Sequence, residues 1–191
     1  MHEDYGKTLL AVARNAIAGT LGVARTEHAD APWLSTYGAT FVTLMRNDEL
    51  RGCIGSLEAT RPLRVDVESN AVAAAFRDPR FTPLTRIEYA ETAVEVSLLS
   101  AMEPVPAANE QQACSLLRPG VDGVVFEYAQ LRSTFLPQVW EQLPDAMLFL
   151  AHLKRKAGLP PDFWHNSVKL SRYTVRKWRE QDASPAASPE S

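Results

Sequence analysis

The sequence predicts a mixed α and β fold on three observations. Residues 92–99 alternate apolar and polar positions, ATFVTLMR and LRGCIGSL form a hairpin pattern, and several stretches repeat apolar residues at helical spacing. In the opening stretch Leu9, Leu10, Ala13, Ala16 and Ile17 mark one face of an amphipathic helix. Lys7 and Arg14 are left to water, and Gly19 and Gly22 weaken the end. In the hairpin, Phe41, Thr43 and Met45 alternate with Val42 and Leu44, and the chain turns through Asn47, Asp48 and Glu49. Phe41 and Ile54 are the expected core residues. Gly52 and Gly55 flank Cys53 and are expected to interrupt strand packing and expose backbone beside a ligand.

Residues 61–77 read as a helix through Leu63, Val67, Ala71 and Ala74, with Pro62 tolerated in its first turn. Asp78 and Pro79 stop it, and Phe81, Pro83 and Leu84 describe a constrained return loop. Val94, Val96 and Leu98 then give a strand with one apolar face. Beyond Pro104 and Pro106 come a short helix over 110–117 and a strand after Gly120, Asp122 and Gly123. TFLPQV reads as a strand end or edge because of Pro137, and 144–157 as a helix carrying Met147, Leu148, Ala151 and Leu153 that closes the principal fold.

A chain of 191 residues and 21.1 kDa supports one substantial core or two small lobes, which excludes a large multidomain machine. With 46% hydrophobic and 23% charged residues, global disorder is excluded as well. The formal charge of -3 offers no overall basic surface for nucleic acid. Residues 154–180 do hold eight Lys or Arg against two Asp or Glu, but Lys154, Arg155, Lys156, Arg176, Lys177 and Arg179 read more simply as a solvated helical face than as a phosphate site. Cys53 and Cys114 cannot build a disulfide framework, so reduced thiols in the cytoplasm are expected. The first residues lack the basic head of a signal peptide, and no apolar run approaches the roughly 20 residues of a membrane span.

Chemistry concentrates in LRGCIGS. Cys53 is a candidate nucleophile or a small buried hydrophobe, and Arg51 two residues away would favour its thiolate or hold an anion. On a regular strand both side chains share a face, so Arg51 needs a partner, with Asp78, Glu58 or a ligand carboxylate as candidates. In RDPRFTPLT, Asp78 and Arg80 form either an internal brace anchored by Phe81 or an anion site together with Arg77. Gln138 offers an amide at a defined strand end, beside a Trp140 that walls a pocket or packs the core. His2, His28, His152 and His165 show no ligand spacing. HExxH, CxxC, GxGxxG, GxxxxGK[ST] and a nucleophile elbow are all absent, so no metal or cofactor is predicted.

Together LRGCIGSLEA, DPRFTPLT and RSTFLPQVWEQLP resemble the AMME chromosomal region candidate gene 1 protein family, in microbes the AmmeMemoRadiSam system protein A, from the opening helix through about Arg176. The resemblance implies a compact α+β protein, taken as one domain over 1–180, and the Ser- and Pro-rich composition of 181–191 reads as a flexible tail. Its mainly antiparallel sheet would be flanked by helices, and a larger and a smaller lobe would meet in a cleft near RGCIG. The positions matching the motifs are Arg51, Gly52, Cys53, Ile54 and Gly55, then Asp78, Arg80, Phe81, Pro83 and Leu84, then Phe135, Leu136, Pro137 and Gln138.

The resemblance also implies partnership with a Memo-like protein or a radical S-adenosylmethionine enzyme. Two isolated cysteines give no three-cysteine cradle, so an iron–sulfur cluster would belong to the partner. The leading reading is a binding or accessory protein that recognises a small anionic ligand or a protein partner through Arg51, Gly52, Cys53, Gly55, Asp78, Arg80 and Gln138. The alternative is a small-molecule enzyme with Cys53 as nucleophile and Arg51 or Gln138 positioning the substrate.

Overall fold

Helix α1, Tyr5–Leu21, forms where the apolar spacing predicts it and buries Leu9, Val12, Ala13 and Ile17. The computed structural model describes residues 5–26 and 30–180. His2, His28 and the tail over 181–191 lie outside the described residues. The chain divides into two compact units, one comprising residues 1–99 with 176–191 and the other residues 100–175.

The first unit carries an antiparallel hairpin, β1 (Thr40–Arg46) and β2 (Glu49–Gly55). Asn47 and Asp48 join the strands, both at positive φ, the pairing that suits the twist of a two-residue hairpin. Helix α2 (Leu63–Phe76) and the short helix α3 (Arg86–Glu91) follow, then β3 (Thr92–Leu99), the span that the alternation predicts. The sheet order is β2-β1-β3-β8, where β8 is Val175–Arg179, so β2 is an edge strand. Val42, Leu44, Val94 and Val96 form the buried face of the sheet and pack with Leu9, Ile17, Val67 and Ala71 from α1 and α2. Burying each of these Val, Leu and Ile side chains is worth about 1.5–3 kcal/mol.

Phe41 departs from expectation. It sits on the opposite face of β1 from Val42 and Leu44, and its ring lies across Gly55, where an added Cβ would come within 2.2 Å of it. Ile54, paired with Val42, does pack against the core. The alternation is real, but its apolar phase belongs to the even-numbered positions.

The second unit has the sheet order β4-β7-β5-β6, from the two-residue β4 (Glu103–Pro104), β5 (Gly123–Tyr128), β6 (Leu131–Phe135) and β7 (Lys169–Tyr173). Helices α4 (Glu110–Leu116) and α5 (Ala146–Lys156) contribute to its core, in which Trp140 stacks on Phe149 with centroids 3.7 Å apart. The TFLPQV strand is shorter than predicted: β6 ends at Phe135, and Pro137 opens a 3-10 turn over Pro137–Glu141. Pro at the start of a helical turn loses no needed N–H, which explains the change of structure there.

The basic stretch is also reassigned. It spans the last turn of α5 and the strands β7 and β8, so α5 does not close the fold. Lys154 is buried and pairs with Glu110 at 2.5 Å, Lys177 pairs with Glu95, and Arg179 with Asp48. These pairs neutralise much of the charge that made the stretch resemble a solvated face. The architecture is α+β, with antiparallel sheets flanked by helices.

Candidate functional site

The RGCIG segment lies on the exposed edge of β2, and a bulge sets its geometry. Leu50 pairs with Met45 and Gly52 with Leu44, which leaves Arg51 as the extra residue of the strand. A bulge bends its strand and re-aims side chains. Here it directs Arg51 to Glu88 on α3, whose oxygens accept from Nε at 3.1 Å and Nη2 at 3.2 Å, while the Thr82 carbonyl accepts from Nη2 at 2.9 Å. The partner of Arg51 is therefore neither Asp78 nor Glu58. The cation expected to assist Cys53 is already held by this carboxylate.

Glu88 was missed by sequence reading, although a local signal marks it. Thr85 and Glu88 form a reciprocal capping box at the start of α3, the T-x-x-E pattern that closes orphan N–H groups. The same carboxylate thus caps its own helix and holds Arg51. Hydrogen bonds from Arg51 and then from the Thr85 backbone lower its pKa to about 2.

Gly52 and Gly55 make room for close packing. A Cβ on Gly52 would lie 2.2 Å from the Ala74 carbonyl oxygen, so its absence lets β2 press against the small-residue face of α2. Gly55 makes room for the Phe41 ring.

Between these glycines, Cys53 presents its outward backbone groups at the sheet edge. Asp78 Oδ2 accepts from Cys53 N at 2.8 Å, and Arg80 Nη2 donates to Cys53 O at 3.3 Å. The two side chains bind each other through Arg80 Nε to Asp78 Oδ1, 3.0 Å, and Arg80 Nη2 to Asp78 Oδ2, 2.7 Å. This brace satisfies strand groups that an edge otherwise leaves open to pairing with another chain. The hydrogen bonds from Arg80 hold the Asp78 carboxyl far below the usual carboxylate range. Asp78 is 2% exposed and Arg80 53% exposed, so the guanidinium is the part of the brace that solvent reaches.

The Cys53 sulfur is half-buried and accepts a hydrogen bond from Thr43 Oγ1 at 3.3 Å, across the Thr43–Cys53 strand pair. Phe81 is half-buried and takes cation–π contacts from both Arg51 and Arg80, at 5.7 and 5.5 Å. Leu84, not Phe81, is the buried anchor of this loop.

A second cluster that sequence reading missed stands behind the hairpin. Asp66, fully buried on α2, accepts from Thr40 N, Thr40 Oγ1, Ser56 Oγ, Arg61 Nε and Asn70 Nδ2. The spacing of Asp66 and Asn70, one helical turn apart, was the available signal.

Gln138 belongs to the second unit, where it is exposed on the 3-10 turn. Trp140 is a core residue there, with its Nε1 donating to the Asp122 carbonyl at 2.6 Å. The structure therefore brings together Arg51, Gly52, Cys53, Gly55, Asp78 and Arg80 within the first unit. Cys114 lies in the second unit, and burial raises its thiol pKa. Among the described residues no three His, Cys, Asp or Glu side chains converge as a metal site, and no helix is long and apolar enough to cross a membrane.

Comparison with known proteins gives consistent relatives. A protein of Sulfurisphaera tokodaii is 38% identical, with 95% of this chain and 84% of the relative covered, and one of Sulfolobus acidocaldarius is 36% identical, with 94% and 83% covered. The crystal structure of the uncharacterized protein PH0010 from Pyrococcus horikoshii matches with a TM-score of 0.81 at 31% identity, over 95% of this chain and 94% of that one. The AMMECR1 family model matches residues 10–178, and the chain belongs to the AMMECR1 family.

Proposed function

We propose that this protein is a binding or accessory component of an AmmeMemoRadiSam-like system in the cytoplasm, with the braced edge of β2 as its recognition surface. The observation that carries this reading is the division of labour between the two arginines. Arg51 is 8% exposed and committed to Glu88, whereas Arg80 holds Asp78 with one side of its guanidinium and turns the other to solvent. A half-exposed, orientationally fixed guanidinium suits a carboxylate or another small anion, supplied free or by a protein partner.

Binding is favoured over attack by Cys53 because no base is hydrogen-bonded to its sulfur among the described residues, where its partner is the Thr43 hydroxyl. A Memo-like protein and a radical S-adenosylmethionine enzyme are the partners to test. Gln138 is retained as a candidate contact of the second unit.

The test is calorimetric titration of the full chain with each purified partner from one genome. Saturable binding that weakens about tenfold or more in Arg80→Ala, with the fold intact, supports the reading. Unchanged affinity in that variant removes Arg80 as the anchor, and a turnover abolished in folded Cys53→Ala would replace binding by catalysis.

A further inference from the structure

A groove of about 480 Å³ opens between α1 and α2 in the first unit, away from the residues assigned to recognition above. Its size falls in the range of small-molecule sites. The wall is divided by chemistry. Val12 and Ala16 from α1 and Val72 from α2 give it an aliphatic side, while Arg25, Thr26 and Arg64 give it a polar one, with Glu68 also on the wall.

Arg25 is the informative member. Its guanidinium lies against Gly19 in the last turns of α1, where an added Cβ would come within 2.0 Å of Nη2, and it makes no hydrogen bond or ion pair with any of the described residues. A cation near a helix C-terminus is electrostatically favoured, and the exposed Arg25 side chain reaches the groove from there. Arg64, across on α2, is paired with Asp30, whose side chain is 90% exposed, and with Glu68 at 3.9 Å. Thr26 is held in place by Asn15, whose Oδ1 accepts from Thr26 N at 2.9 Å and whose Nδ2 donates to Thr26 O at 2.8 Å.

We infer that this groove binds a small organic carboxylate with a short aliphatic body, its acid group on the Arg25 guanidinium and its chain against Val12, Ala16 and Val72. Charge alone would suit a bare inorganic anion equally well; the aliphatic wall selects the larger class. Binding here does not depend on the β2 edge, so it stands or falls separately from the proposed recognition surface.

The experiment is amide-resolved NMR titration of the full chain with sodium hexanoate, with inorganic phosphate and 1-hexanol as parallel probes. Hexanoate should give saturable shifts at Val12, Ala16, Thr26 and Val72. Arg25→Gln should weaken its binding about tenfold, the loss expected for one charge-assisted contact. Gly19→Ala is the second variant: it keeps the charge but displaces the guanidinium from its seat, and it should weaken hexanoate in the same direction while improving helix propensity. Absence of saturation at these amides, equal affinity in both folded variants, or phosphate or hexanol binding as tightly as hexanoate would each overturn the inference.

Discussion

Each unit contains a buried aspartate clamped by an arginine close in sequence. Asp78 is 2% exposed and binds Arg80, 53% exposed; Asp122 is 0% exposed and binds Arg118, 51% exposed. Each carboxylate takes the guanidinium through Nε and Nη2 and also accepts a backbone N–H at 2.8 Å. The difference is where that N–H comes from. Asp122 accepts from Arg118 itself and so closes a local turn, whereas Asp78 accepts from Cys53, 25 positions away, and so fastens a loop to a strand edge. The same pair of residue types makes a turn in one unit and a tertiary clasp in the other.

Removing the two carboxylates is the strongest way to break this comparison. Asp78→Ala should destabilise the first unit by about 3 kcal/mol, because the Cys53 and Arg80 backbone donors lose a buried acceptor together with the ion pair. Asp122→Ala should cost the second unit about 2 kcal/mol, since it frees Arg118 and a more distant Arg172 but no strand-edge N–H. Urea unfolding combined with segment-resolved hydrogen exchange measures both, and a larger effect at Asp122 would contradict the distinction.

Next in size is Gly52→Ala, at about 2 kcal/mol, because its Cβ meets a backbone oxygen that cannot rotate away. This variant should also speed exchange at the Cys53 amide by moving β2 relative to the loop that carries Asp78.

Acid sharpens the comparison further. Glu88 and Asp78 have depressed pKa values in the folded protein, so their stabilisation is fully present above the unfolded value, near 4.5 for Glu88, and is lost as pH falls through the folded one. Stability of the first unit should therefore decline between about pH 4.5 and pH 2, by about 1–2 kcal/mol for the partly exposed Glu88 after solvent screening. Glu88→Gln should flatten that part of the profile measured by unfolding at each pH. The smallest effect is expected for Thr43→Val, about 0.5 kcal/mol, because one weak hydrogen bond to sulfur is exchanged for a side chain suited to a strand.

Much of the local structure was legible. The strand over 92–99 follows directly from its alternation, α1 from its apolar stripe, and the Asp78–Arg80 brace from two complementary groups held by prolines. Other features were not. The apolar phase of β1 was misread because Phe41 is the largest hydrophobe in the strand, yet it covers a glycine on the opposite face. The strands β7 and β8 were hidden because their charges find acids in distant elements, such as Glu95 for Lys177 and Asp48 for Arg179. Glu88 carried a capping signal that was present but unread, whereas nothing local announces that it also binds Arg51.

By itself the sequence determined the opening helix, the hairpin and the strand over 92–99, which residues could be paired nearby, and the resemblance to the family through its three separated motifs. Those properties depend on spacing along the chain, through caps, prolines and periodicity, and are set within a few residues. Only the tertiary structure decided that Arg51 is occupied while Arg80 faces solvent, that the two motif glycines serve packing, and that Cys53 sits on a clasped edge. Each of these depends on a strand bulge or on groups tens of residues apart meeting at hydrogen-bond distance, and chain folding alone selects among the acids, bases and backbone groups that compete for those contacts.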